Sequence, residues 1–273
     1  MYLSHWGLNQ SPFATAAGLS PAYPSEAFDE AAARIDYLVS EGRRAGALLG
    51  EAGLGKSTIL GAVAAMLARR GAHVAMVDAV ALSPGELLWQ ANSQLGAQPD
   101  AGDNPPRLWR RLEDTLSHHR WQGQESVLLV DDADQAGPDV QRTLARLAGL
   151  ESAPGARWTL ILAAQPQRLQ QLGEQLLHKI DLRIDLYPWT EQDTAGYVQH
   201  ALIDAGGLDP VFTDAALARL HHLAAGVPRH VVRLADFALV VGAGAGLEEV
   251  TEAEVATAFE QLRWSPPAAT HLV

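Results

Sequence analysis

Apolar positions along this chain follow two regimes that meet near residue 187. Up to that point short, mainly apolar segments recur at residues 45–49, 73–78, 126–130, 158–163 and 182–186. Runs of this length, bounded by polar turns, read as strands buried on both faces. Between them lie longer stretches with helical spacing, at 57–70, 84–95, 108–119, 138–150 and 166–177, with 96–106 as a polar loop. A further helix precedes the first strand, running from a Ser25 cap to residue 39 with Ala27, Ala31, Ile35 and Leu38 on one face. Ser83-Pro84-Gly85-Glu86 is a strong helix start, with a capping serine, proline in the first turn and glutamate three residues after the cap. Strands alternating with helices predict an α/β fold: a three-layer αβα arrangement around a five-stranded parallel sheet.

After Pro188 the strand-like runs cease, and helices alone are predicted over 190–204, 213–224, 228–241 and 251–262. Thr213 is placed to cap the second of these, and Thr251 with Glu254 forms a capping box. The expected division is an αβα domain over 1–188, a helical lid over 189–263 and a loose tail over 264–273. Residues 1–24, rich in proline and aromatics (Tyr2, Trp6, Pro12, Phe13, Pro21, Tyr23, Pro24), read as an irregular segment fastened to the αβα core by its rings.

Composition narrows the classes. The 273 residues carry a formal net charge of −12 and are 48% hydrophobic, enough for a substantial core. An acidic balance argues against a broad electrostatic grip on DNA or anionic lipid. There is no cysteine, so disulfides and thiolate metal sites are excluded. The opening residues lack a cationic leader followed by an apolar stretch, and no run approaches the ~18 apolar residues of a membrane span. The expectation is a cytoplasmic protein without a transmembrane segment, peripheral to the inner membrane only through a partner.

The chemistry concentrates in Gly50-Glu51-Ala52-Gly53-Leu54-Gly55-Lys56-Ser57-Thr58, which matches G-x-x-x-x-G-K-[ST] at each fixed position. It lies between a predicted strand and a predicted helix, the context in which glycines let backbone N–H groups turn around a polyphosphate at a helix N-terminus. Lys56 would reach the β- and γ-phosphates of ATP, and the Ser57 hydroxyl would hold Mg²⁺. The chain has only two lysines, so a Lys-rich background does not explain Lys56. About 75 residues on, the apolar run 126–130 ends in Asp131-Asp132. A buried strand ending in aspartate places Asp131 beside the metal, and Asp132 is then positioned to polarise an attacking water. Read as structure alone, this pair would cap a helix or occupy a solvated turn. Gln165 ends the fourth strand, as a polar strand end or a group near the γ-phosphate. In Gly226-Val227-Pro228-Arg229 the proline starts a helix and sets Arg229 in its first turn, as a surface ion-pair former or a phosphate contact.

Phosphate loop, Asp-Asp strand, polar strand end and G-x-P-R helix, in this order, resemble the AAA+ ATPases. More narrowly they resemble the ATPase module of the general secretion pathway protein A family (the ExeA type), over about residues 1–263. Tyr2…Trp6-Gly7-Leu8…Pro12-Phe13 is similar to that family's opening, Gln165-Pro166 to its fourth-strand ending, and Leu182-Arg183-Ile184…Leu186…Pro188 to its fifth strand. The resemblance implies that Gly50 to Thr58 cradle phosphate and that Ser57 and Asp131 hold Mg²⁺. It makes Gln165 and Arg229 the two sensors, and lets Pro12 and Phe13 border the adenine. It also implies a homo-oligomeric ring acting on a protein partner.

Three departures stand beside it. Residue 132 is usually glutamate, and aspartate is one methylene shorter. Where an arginine finger precedes the fifth strand there is Lys179, leaving Arg183 as the alternative. A wall-binding role is not implied, because the chain stops before such a region. Rival functions are a DNA-transaction ATPase and a nucleotide-binding scaffold with little turnover. The adjacent pairs His118-His119 and His221-His222 chelate poorly. Trp89, Trp109 and Trp158 read as core. Arg107, Arg110, Arg111 and Arg120 read as a solvated face that leaves a nucleic-acid contact open without favouring it.

Overall fold

The structure, a computed structural model, describes residues 2–13, 23–150, 155 and 157–262. Pro21 and the tail 264–273 lie outside them. The elements run α1 (Tyr2–His5), α2 (Glu26–Ser40), β1 (Ala45–Leu49), α3 (Lys56–Arg69), β2 (His73–Asp78), α4 (Pro84–Gln94), α5 (Pro105–Trp121), β3 (Ser126–Asp131), α6 (Pro138–Leu147), β4 (Trp158–Ala164), α7 (Glu174–Leu177), β5 (Leu182–Asp185), α8 (Glu191–Asp204), α9 (Asp214–Ala224), α10 (Pro228–Gly244) and α11 (Glu252–Leu262). They form two compact units, one of residues 24–187 and one joining residues 1–23 to 188–273.

The first unit holds a five-stranded sheet in the order β2-β3-β4-β1-β5. Every pairing is parallel, with Ala45 opposite Leu160, Ser126 opposite Trp158 and Asp78 opposite Asp131. The central strands β1, β3 and β4 are buried almost throughout, as their unbroken apolar runs require. β4 lies between β1 and β3, so the chain following Gln165 emerges between the phosphate loop and Asp131. Ser83 and Glu86 complete the expected capping box, and Ser25 accepts from the Phe28 N–H at 3.2 Å.

Local differences from the sequence expectation have physical causes. α5 starts at Pro105 because the Asn104 side chain caps it, accepting from the Arg107 N–H at 3.1 Å. The predicted helix over 166–177 is instead a 3₁₀ stretch, Pro166–Leu172, and the short α7. Gly173 divides them at φ 78°, ψ 147°, outside any helical well. Trp158 is fully buried and Trp109 partly so, whereas Trp89 is 39% exposed and reaches only the Asp100 carbonyl with its indole N–H.

At the N-terminal ends of β2 and β3 the imidazoles of His73 and His119 stack with centroids 3.5 Å apart. His119 Nδ1 lies 2.8 Å from Ser126 Oγ, and His73 Nε2 lies 2.9 Å from Gln124 Oε1. Burial, and then the neighbouring His73 and His118, lower the His119 pKa to about 4. The unfolded chain therefore takes up a proton near pH 6.5 that the folded chain refuses until about pH 4. This contribution to stability is complete above pH 6.5 and is lost as pH falls towards 4. Denaturant unfolding across that window should show the protein weakening by up to about 1.4 kcal/mol per pH unit from this group. His119→Gln should flatten that slope; a parallel slope in the variant would contradict the assignment. Among the described residues no group of three or more His, Cys, Asp or Glu is arranged to hold a metal ion by itself.

The second unit packs α8–α11 around an apolar core that includes Trp6, Leu8 and Phe13. The opening segment was expected on the αβα core; its rings are instead buried among the helices of this unit. The Trp6 indole N–H donates to the Leu239 carbonyl at 2.9 Å, and the Tyr2 hydroxyl donates to Asp236 at 3.0 Å. A β-carbon on Gly242 would come within 2.9 Å of the Trp6 ring, so the glycine makes room for it. Thr190 with Asp193, and Thr213 with the Ala216 N–H, cap α8 and α9. Trp6→Ala should cost about 3 kcal/mol in chemical denaturation, the scale for deleting a buried aromatic. A loss below about 1 kcal/mol would mean that the segment is not part of this core.

Candidate functional site

The turn between β1 and α3 is shaped by Gly53 and Gly55, both at φ 90°, a left-handed conformation that a side chain would resist. Gly55 is the residue before α3, so the free N–H groups of the helix's first turn open into the loop. The Gly50 N–H donates to the Ala164 carbonyl at 3.2 Å, tying the loop's start to the end of β4. Lys56 is 7% exposed, and its ammonium folds back to donate to the Gly50 carbonyl at 2.8 Å and the Glu51 carbonyl at 3.1 Å. The loop thus holds a buried cation at its centre, ringed by its own backbone.

Ser57 and Asp131 come together. The Ser57 hydroxyl hydrogen-bonds the Asp131 carboxylate, whose Oδ1 also accepts the Asp132 N–H at 3.0 Å. Burial raises the Asp131 pKa, as do the charges of Asp132 and Asp78; the Ser57 and Asp132 hydrogen bonds oppose the rise. A carboxylate so placed needs a cation to offset its desolvation and its like-charged neighbours, and a hydroxyl beside it completes an oxygen donor set suited to magnesium. The residues present therefore fit Mg²⁺, which Ser57 and Asp131 would hold.

Asp132 follows in the left-handed region, at φ 46° and ψ 39°, and starts a 3₁₀ turn, Ala133–Gln135. Aspartate enters this region more readily than most residues. That turn packs against the stretch Pro166–Leu172, where the Gln167 amide donates to Glu51 of the phosphate loop. Gln165 precedes the stretch without capping it. Ala52 is exposed, Leu54 is buried beneath the loop and Thr58 lies half-buried in the first turn of α3.

The remaining predicted residues lie on other elements. Phe13 is 5% exposed inside the helical unit, its ring beside Tyr197, and Pro12 is half-buried in the same segment. Arg229 is exposed in the first turn of α10, where Val227 provides no side-chain cap. Arg183 is forked onto Asp185 of its own strand at 2.8 and 2.9 Å, which raises its pKa further. Lys179 donates to the Ala145 carbonyl at 2.8 Å in the last turn of α6. In the basic cluster, Arg111 pairs with Asp100 and Asp103 at 2.8 Å and Arg107 lies 3.6 Å from Asp103, so nearby acids offset much of its charge. Sequence reasoning missed Asp78, which the β2–β3 register sets beside Asp131, and Asp134 of the 3₁₀ turn. The only signal for either was the acidic character of these strand ends.

Comparison with known proteins agrees with this geometry. Residues 39–172 match the family described as AAA domain. Over 262 residues, 94% of this chain, it is 29% identical to general secretion pathway protein A of Aeromonas hydrophila. The chain spans about half of that protein, 48% of its length. Among solved structures, Drosophila ORC bound to DNA superposes with a TM-score of 0.73 at 17% identity, covering 93% of this chain and 65% of the other. The Aeropyrum pernix ORC2 protein in its ADPNP–ADP complexes gives 0.70 at 15% identity, covering 93% and 72%. At such identities the likeness to these structures is one of fold. Residues 39–172 of this chain thus match the AAA-domain family, and the chain resembles general secretion pathway protein A along nearly its whole length.

Proposed function

We propose that this chain binds Mg-ATP in the loop 50–58 and hydrolyses it to drive a change in an oligomer of itself and in a protein partner. The observation that carries the reading is the meeting of Ser57 with Asp131, together with a buried Lys56 whose ammonium donates to the carbonyls of its own loop. Magnesium, when bound by Ser57 and Asp131, would offset phosphate charge. Lys56 exchanges the Gly50 and Glu51 carbonyls for phosphate oxygens, and the N–H groups of Gly53 to Thr58 complete the cradle. Asp132 takes the proton of the attacking water, and Gln165 orients the γ-phosphate end from the neighbouring strand. Arg229 is the helical unit's candidate phosphate ligand. Arg183 can serve a neighbouring copy only by giving up Asp185.

A secretion- or envelope-related partner follows from the relative's name alone. No observation favours a DNA role, because Arg107 and Arg111 are already engaged by acids. The test pairs phosphate release from Mg-ATP with mass in solution, with and without a non-hydrolysable ATP analogue. Magnesium-dependent release and an analogue-dependent rise in mass are expected. Release without any change of mass would remove the oligomer from the proposal, and no release would leave a nucleotide-binding scaffold.

A further inference from the structure

Asp134 is 2% exposed, and no hydrogen-bond donor reaches either of its carboxylate oxygens. Among the described residues it is the only carboxylate with both oxygens buried and orphaned. Asp103, also buried at its side chain, keeps Arg111 at 2.8 Å. Burying such a group without partners is among the costliest arrangements a fold can retain. An apolar residue of similar size would serve a purely structural purpose better.

Its position connects the anomaly to the site. Asp134 lies in the middle of the turn Ala133–Gln135, directly after the Asp131-Asp132 pair. That turn begins from a left-handed Asp132 and packs against the stretch that follows Gln165 and holds Glu51 through Gln167. One five-residue segment thus combines an unusual backbone, an unsatisfied buried acid and contact with the phosphate loop's neighbour. Strain and unsatisfied polarity collected in one place, on an otherwise well-formed sheet edge, are expected where function outweighs stability.

Resting on the nucleotide reading above, we infer that Asp134 is a positioning residue of that site. Its carboxylate gains donors when Mg-ATP is bound, and this holds the turn that carries Asp131 and Asp132 in its working form. In the ligand-free protein the same carboxylate destabilises the turn. The segment therefore couples occupancy of the loop to order at the end of β3.

The test is thermal unfolding of wild type, Asp134→Asn and Asp134→Leu, each without ligand and with Mg-ATP analogue. Without ligand both variants should melt higher than wild type, by about 2–4 °C for a chain of this size. With the magnesium–nucleotide complex, their added stabilisation should fall to less than half the wild-type gain, and their affinity for the complex should drop by about tenfold. Lower ligand-free melting in both variants would show that Asp134 has a structural partner, and would overturn the inference. So would a ligand-induced gain equal to that of wild type. If wild type itself gains nothing from the complex, the nucleotide reading fails, and this outcome is distinct from the other two.

Discussion

Replacing Lys56 by alanine is expected to abolish measurable ATP binding, with affinity at least about a hundredfold weaker than wild type. Hydrogen bonds made by a charged donor contribute about 1.5–3 kcal/mol each, and this ammonium would serve two phosphates from a site where it is 7% exposed. The variant loses in a second way. Lys56 is the group that bonds the Gly50 and Glu51 carbonyls at 2.8 and 3.1 Å, so the empty loop loses its internal tie and its preorganisation. Calorimetric titration measures the first effect. Lys56→Arg separates the two, because it retains the charge but not the compact point donor. Binding by Lys56→Ala within tenfold of wild type would show that phosphate is held elsewhere.

Asp132→Ala should have the opposite profile: ATP affinity within about threefold of wild type, and turnover lower by about 10²–10⁴, the usual contribution of a positioned general base. Asp132 has a left-handed backbone that alanine adopts less willingly. Asp132→Asn is therefore the stricter variant, since asparagine tolerates that conformation and removes only the carboxylate. Both should lose turnover together. If Asp132→Asn hydrolyses ATP at the wild-type rate, the base lies elsewhere. Asp132→Glu tests the missing methylene: a faster enzyme would show that the short side chain limits hydrolysis in this chain, since misplacement by about 1 Å can cost on the order of a hundredfold in rate.

Strands β1, β3 and β4 were legible because strands buried on both faces must be almost continuously apolar, and the runs at 45–49, 126–130 and 158–163 have no other use. The loop 50–58 was legible for a related reason, since its glycines and lysine satisfy local backbone and charge requirements. What escaped reading depends on contacts distant in sequence. Residues 2–13 declare that they will be buried, but aromatic composition does not say against which core; Trp6 finds Leu239 and Gly242. Asn104-Pro105-Pro106 read as loop, although a capping asparagine before proline is also a helix start. Arg183 read as an available cation until its own strand brought Asp185 alongside it. Nothing in the sequence sets Asp134 apart from its acidic neighbours, and only packing reveals that it is buried with both carboxylate oxygens unbonded.

The central claim is that the main chain from Gly50 to Thr58 encloses a triphosphate whose metal is held by Ser57 and Asp131. Equilibrium titration of the purified chain with ATP, in the presence and absence of Mg²⁺, tests it most directly. One saturable site per chain is predicted, tightened by magnesium and missing in Lys56→Ala. No saturable binding of ATP by the wild-type chain with magnesium present would contradict it.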